Sequence, residues 1–121
     1  MSTILVVDDS ETIRSQLAGD LKEAGYDVLE AADGEQGLEK AVHETVDLII
    51  TDYNMPKMDG LSMCTMIKEK NGDKKVPIFM LTTQSRADLK ARAKDVGVLA
   101  WILKPYQKAA LLKATNKVLP H

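Results

Sequence analysis

Short apolar runs alternate five times with stretches of helical spacing along the chain. The runs are Ile4–Val7, Val28–Leu29 with Ala31–Ala32, Leu48–Thr51, Ile78–Leu81 and Leu99–Leu103. Most are nearly continuous in apolar residues, the pattern of strands buried on both faces. After each run, apolar residues recur three or four positions apart, as on one face of a helix. Ile13, Leu17 and Leu21 mark the first such face, Leu38, Ala41 and Val42 the second, and Leu61, Cys64 and Ile67 the third. Leu89, Ala93 and Val96 mark the fourth, and Leu111, Leu112, Thr115 and Leu119 the fifth. Ser10, Asp33, Asp59 and Ser85 stand where helix N-caps belong, and Gly25 and Gly97 where helices stop. Asn71-Gly72-Asp73 reads as a further turn. Five strands alternating with five helices predict an α/β domain with a parallel sheet covered on both faces.

Composition narrows this picture. A length of 121 residues suits one domain, expected to span residues 1–121 with no output domain. The 45% hydrophobic and 28% charged fractions exclude a disordered chain. Aromatics make up only 4%, so the core must rest on Val, Ile, Leu, Ala and Met. A single cysteine, Cys64, excludes an internal disulfide and suits a reducing compartment. The opening apolar run stops at Asp8-Asp9, too short for a signal peptide or a membrane span, so the expected location is cytoplasmic and off the membrane. Residues 1–83 carry 8 Lys/Arg against 16 Asp/Glu, whereas residues 84–121 carry 8 Lys/Arg against only Asp88 and Asp95. The basic third has no recognition module or interleaved aromatics, so nucleic acid is not expected as a partner. It reads either as a solvated helix face or as a docking face for an acidic protein.

In a sheet of this kind, ligands sit beyond the carboxyl ends of the strands. Those ends carry Asp8 and Asp9 after the first run, Asp52 after the third, Thr82 and Thr83 after the fourth, and Lys104-Pro105 after the fifth. Each has a plain structural alternative: Asp9 or Ser10 can cap a helix, Asp52 can open a turn, and Lys104 can be a surface cation. Together they put three carboxylates, two hydroxyls and an ammonium on one rim. Two carboxylates about 5 Å apart repel by roughly 3 kcal/mol at an effective dielectric near 20. Three such pairs are therefore costly without compensation, and Asp52→Asn is expected to raise the melting temperature without metal. Lys104 offsets part of the repulsion, and a hard divalent cation, Mg²⁺ rather than Ca²⁺, would offset more. Zinc is not expected, since neither His43 nor His121 falls on this rim. A metal-neutralised Asp52 beside a hydroxyl and a lysine suits a nucleophile toward phosphorus, with Mg²⁺ and Lys104 holding the phosphoryl oxygens. The acyl phosphate formed adds about one negative charge, toward which Thr82 and Lys104 would be drawn.

Four motifs carry a family likeness: Val6-Val7-Asp8-Asp9-Ser10, Asp52 to Gly60 (DYNMPKMDG), Leu81-Thr82-Thr83 and Lys104-Pro105-Tyr106. From about Thr3 to Leu119 the chain resembles the receiver domains of bacterial response regulators, most of all the CheY-like single-domain chemotaxis regulators. That resemblance implies a doubly wound, flavodoxin-like sheet in the order 2-1-3-4-5. It implies that Asp52 accepts a phosphoryl group from the phosphohistidine of a histidine kinase. Asp8, Asp9, Asp52 and the backbone carbonyl of Asn54 would hold Mg²⁺. Thr82 would hydrogen-bond the phosphoryl group and Lys104 pair with it, across a cis bond to Pro105. Asn54 and Gln84 fall where side chains tune dephosphorylation. Trp101 takes the place of a switch aromatic that turns inward when Thr82 moves, reshaping a face made by helix four, strand five and helix five; its plain alternative is an indole at a sheet edge. Indole is larger than the usual phenol and lacks its hydroxyl, so the inward position is expected to be less populated. Thr83 departs from the usual Ala or Gly and is expected to slow dephosphorylation or the use of small phosphodonors.

The implied function is a phosphorylation-activated monomeric switch of a two-component system. It would catalyse its own phosphorylation and dephosphorylation without being a turnover enzyme, and act on a partner protein such as the flagellar motor switch. Arg86, Lys90, Lys94, Lys104, Lys108 and Lys113 would face an acidic target. The alternatives within the family are a relay shuttle, a phosphate sink and a receiver that is never phosphorylated; the intact acceptor set speaks against the last. A haloacid dehalogenase-type phosphatase also uses an aspartate nucleophile, but after the first strand and with an acid two residues on, where this chain has Asn54. A flavin-binding module needs a Ser/Thr/Gly-rich loop where Asp8-Asp9 stands.

Overall fold

The computed structural model describes residues 2–72 and 75–119. Along the chain run β1 (Thr3–Val7), α1 (Glu11–Glu23), β2 (Asp27–Ala31), α2 (Gly34–His43) and β3 (Leu48–Thr51). They are followed by α3 (Gly60–Asn71), β4 (Ile78–Thr82), α4 (Ala87–Val96), β5 (Val98–Leu103) and α5 (Lys108–Val118). The five strands form one sheet in the order β2-β1-β3-β4-β5, all pairs parallel. This is the doubly wound fold expected.

Strand alternation divides the core. Ile4, Val6, Leu48, Ile50, Phe79 and Leu81 point to one face and pack on Leu17 and Leu21 of α1 and Leu111 of α5. Leu5, Val7 and Ile49 point to the other and meet Ala41 of α2 and Met63, Cys64 and Ile67 of α3. A smaller cluster of Leu61, Met80, Leu89 and Ala93 joins α3 to α4. The strands buried on both faces are β1, β3 and β4. The edge strands β2 and β5 are half-buried, which is why β2 accommodates Glu30 and β5 leaves Leu99 64% and Leu103 48% exposed.

Three of the expected N-caps form. Ser10 accepts from the Ile13 N–H, Asp33 from that of Gln36 and Asp59 from that of Ser62, satisfying first-turn donors. Ser85 does not cap: α4 starts at Ala87, so Arg86 takes the cap position and no side chain bonds the first turn. A hydroxyl one residue too early cannot reach the N2 or N3 amide. Val42, assigned to the buried face of α2, is 38% exposed. Gly25 and Gly97 end their helices with φ of 100° and 99°, a backbone that glycine adopts without a Cβ penalty. Of the predicted turn, Gly72 follows α3 with φ of 60°, whereas Asp73 lies outside the described residues, as does His121. Among the described residues no helix is long and apolar enough to cross a membrane.

Candidate acidic site at the strand ends

Parallel pairing continues past the strands and draws their end residues together. Asp8 N–H donates to the Ala31 carbonyl at 3.1 Å, Asp52 N–H to that of Val7 at 3.0 Å and Lys104 N–H to that of Thr82 at 3.0 Å. Asp8, Asp9 and Asp52 consequently converge, with one carboxylate oxygen from each within 4.8 Å of the others. Asp8 and Asp52 are buried and Asp9 is exposed. The Lys104 ammonium bridges the buried pair, donating to Asp8 Oδ2 and Asp52 Oδ2 at 2.8 Å each. The remaining oxygens accept backbone N–H groups: Asp8 Oδ1 from Ser10 at 2.9 Å, and Asp52 Oδ1 from Tyr53 at 2.7 Å and Asn54 at 3.4 Å. Burial opposes the Lys104 charge, but its hydrogen bonds to Asp52 and Asp8 prevail and hold its pKa above the ordinary lysine value.

The sequence-predicted residues are distributed around this centre. Lys104-Pro105 is a cis peptide. Thr82 is fully buried at the end of β4, its hydroxyl accepting the Gln84 N–H at 3.3 Å, while Thr83 and Asn54 are exposed beside the site. Trp101 pairs with Met80 in the ladder and packs its half-buried ring against the α3–α4 cluster. Its indole N–H donates to the Gln84 carbonyl at 2.7 Å, so the indole supplies a donor of its own where a phenol would use its hydroxyl.

Two contributors escape a sequence reading. Arg14 donates to the Asp8 carbonyl at 2.8 Å and pairs with Glu30 at 3.3 Å, tying the acidic loop to α1 and β2. An arginine early in the helix after an acidic pair is a weak signal, and nothing in the spacing marks Glu30 as its partner. Gly60 belongs to a quoted motif, but its reason is steric: a Cβ there would lie 2.1 Å from the Asp52 carbonyl oxygen. Only glycine lets α3 begin against the backbone of the central aspartate.

An all-oxygen set of three acids fits a hard divalent cation better than zinc or copper. A cavity of about 370 Å³ opens at the opposite end of the sheet, between Ile67 of α3 and Val96 of α4, and takes in none of these residues.

The description "response regulator receiver domain" fits residues 4–116. Protein PilG of Pseudomonas aeruginosa is 35% identical over 97% of this chain and 87% of its own. The structure of chemotaxis protein CheY4 of Vibrio cholerae matches with a TM-score of 0.92 and 40% identity, over 98% of this chain and 99% of that one. That of response regulator TrrA of Thermotoga maritima, in complex with Mg²⁺-BeF, matches at 0.87 and 32% over 98% and 100%. Of several longer relatives named as transcriptional regulators this chain spans only 42–53%. A profile covering nearly the whole chain, a shared strand order and the acidic pocket at the strand ends agree: the chain belongs to the response regulator receiver domains, the signalling switches of two-component systems.

Proposed function

We propose that this receiver is switched by phosphorylation of Asp52 and passes its signal on by contact with a partner protein in a chemotaxis-type pathway. The observation that carries this reading is the Lys104 ammonium, 2.8 Å from both Asp8 and Asp52, with Asp9 alongside. A histidine kinase would supply the phosphoryl group. An Asp52 carboxylate oxygen forms the new O–P bond as the P–N bond of the phosphohistidine breaks, and the imidazole nitrogen leaves with the electron pair. Asp8, Asp9, Asp52 and the Asn54 carbonyl are the groups that would hold Mg²⁺, which when bound supplies charge neutralisation at the phosphoryl oxygens. Lys104 is poised to exchange one carboxylate for the incoming phosphoryl group, and the Thr82 hydroxyl to donate to it. Thr83, exposed beside Thr82, narrows the approach for water and small donors. Hydrolysis of the acyl phosphate resets the switch, so the chain catalyses its own cycle and turns over no other substrate.

The outward signal starts where Thr82 and Trp101 meet the loop before α4. Movement of Thr82 toward a phosphoryl group disturbs the Gln84 N–H that it accepts, and the Gln84 carbonyl is the anchor of the indole. The loop, α4 and β5 would shift together, which suits a target surface made of α4, β5 and α5. That surface offers exposed Leu99 and Leu103. Its expected basic character is narrower than the sequence suggested. Arg86 pairs with Asp88, Lys108 with Glu23, and Lys104 faces the acidic site. Lys90, Lys94 and Lys113 are exposed and, among the described residues, without an ion-pair partner. The kinship with PilG and CheY4 supports a chemotaxis-type partner such as a flagellar motor switch protein.

The deciding experiment incubates the protein with acetyl phosphate or phosphoramidate and Mg²⁺, then maps the product by mass spectrometry after borohydride trapping. Modification at Asp52, lost in Asp52→Asn, is expected. Absence of any acyl phosphate with both donors and with a competent kinase overturns the reading.

A further inference from the structure

The turn bearing Lys104 is fastened at two points. On one side the Lys104 N–H donates to Thr82 on β4. On the other, two residues on, the Tyr106 hydroxyl donates to Asp20 Oδ2 on α1 at 2.8 Å. The Tyr106 ring packs against the core between α1 and α5, a role that phenylalanine could fill equally well. The hydroxyl is therefore not needed for packing; it serves the carboxylate. Asp20 is drawn back from solvent, with 18% of its side chain exposed, and its other oxygen lies 3.8 Å from the Lys108 ammonium. Lys108 in turn pairs with Glu23 at 3.1 Å. A half-buried carboxylate is tolerated only with such partners. They come from the segment that opens α5, directly after the lysine of the acidic site.

We propose that Asp20, acting through Tyr106, is a positioning residue for phosphoryl transfer: the strap from α1 holds the Lys104 turn so that its ammonium stays aimed between Asp8 and Asp52 before the donor arrives. This rests on the reading of Asp52 as phosphoacceptor. A flexible lysine chain keeps one aim only if its backbone is held, and an ammonium placed in advance spares the transition state that ordering cost. The strap's own bonds run between Tyr106, Asp20 and Lys108 and reach none of Asp8, Asp9 and Asp52.

The test follows the mass gain at Asp52 with phosphoramidate and Mg²⁺ in the full chain. Tyr106→Phe and Asp20→Ala should slow phosphorylation about five- to tenfold, less than the full worth of a hydrogen bond to a charged group because the ring still packs. Asp20→Asn keeps an acceptor oxygen for the hydroxyl and should recover most of the rate. In a Lys104→Ala background, Tyr106→Phe should have no further effect. Equal slowing with and without Lys104 overturns the proposal, because the strap would then act on the fold and not through the lysine; an unchanged rate overturns it too. A second readout needs no phosphorylation. With ¹⁵N-labelled lysine, proton exchange of the Lys104 ammonium should be slow in the wild type and several-fold faster in Tyr106→Phe, and identical exchange overturns the proposal. If the wild type takes no phosphate from phosphoramidate, acetyl phosphate or a competent kinase while the ammonium responds to Tyr106→Phe, the phosphoacceptor reading fails and the strap stands.

Discussion

With its ammonium 2.8 Å from both Asp8 and Asp52, Lys104 offsets the repulsion between two of the three carboxylates and leaves Asp9 without a cation among the described residues. This changes which substitution should relieve the site. Asp52→Asn would take a partner from Lys104 and a charged acceptor from the Tyr53 N–H, so the stabilisation expected of it is offset. Asp9→Asn removes like charge and breaks no observed ion pair. In EDTA it should raise the melting temperature by a few degrees, a modest gain because Asp9 is exposed and screened. In millimolar Mg²⁺ the order should reverse, since the variant lacks one of the three carboxylates proposed to hold the metal. Differential scanning fluorimetry with and without the metal checks both halves, and a variant no more stable in EDTA would mean that Asp9 does not feel its neighbours. At this level the acids, Thr82 and Lys104 were legible because each directly follows a recognisable apolar run. Arg14 was not, since its partners, the Asp8 carbonyl and Glu30, come together only when α1 folds back on β2.

Helix α3 begins where it does because Gly60 has no side chain. Its N–H donates to the Tyr53 carbonyl at 2.9 Å, and Asp59 caps the helix through the Ser62 N–H and hydroxyl. Gly60→Ala would press a methyl group into the Asp52 carbonyl, and the backbone must give way. It should cost roughly 2–3 kcal/mol in urea unfolding, at the upper end for overpacking, and slow Asp52 phosphorylation even in the folded fraction. A variant with wild-type stability and rate would mean that the helix start can slide away from Asp52. Apolar spacing marked all five helices and caps marked the starts of α1, α2 and α3; α5 begins after Gln107 with no side-chain cap, and the cap expected for α4 fails. Its start slips past Ser85 to Arg86, whose guanidinium pairs with Asp88 and not with the helix end. Apolar runs located all five strands, but could not tell the exposed edges β2 and β5 from the buried centre, because partner number is a property of the sheet.

The whole domain carries protons that the unfolded chain holds less tightly. Lys104 is held above its ordinary value by Asp52 and Asp8, against the opposing effect of burial. Burial raises the Tyr106 phenol, helped by Asp20, and burial alone raises that of Tyr26. A raised folded value favours the native state fully below the unfolded pKa, and that advantage is lost as pH climbs toward the folded one. Burial, helped by Asp59, also pushes the Cys64 thiol up to about 12. Urea midpoints should therefore hold steady up to about pH 8 and fall from about pH 9 upward, more steeply in the wild type than in Lys104→Met. Parallel slopes would show that Lys104 gains no net stabilisation from its carboxylates. Across the proposed output surface, charge reversal at Lys90, Lys94 and Lys113 should weaken binding of an acidic target about tenfold or more at low salt, and less near 0.5 M. Titration calorimetry at two ionic strengths checks this, and salt-independent binding would count against the basic face. Period and punctuation alone determine that five strands alternate with five helices, and the acids and lysine that follow those strands need no coordinates to be noticed, since both are local properties of the chain. Bringing Lys104 to Asp8 across 96 residues, pressing Gly60 against Asp52 and strapping Tyr106 to Asp20 were decided only by tertiary packing. Such contacts depend on strand order, ladder register and the way helices cover the sheet, none of which a residue's neighbours in sequence encode.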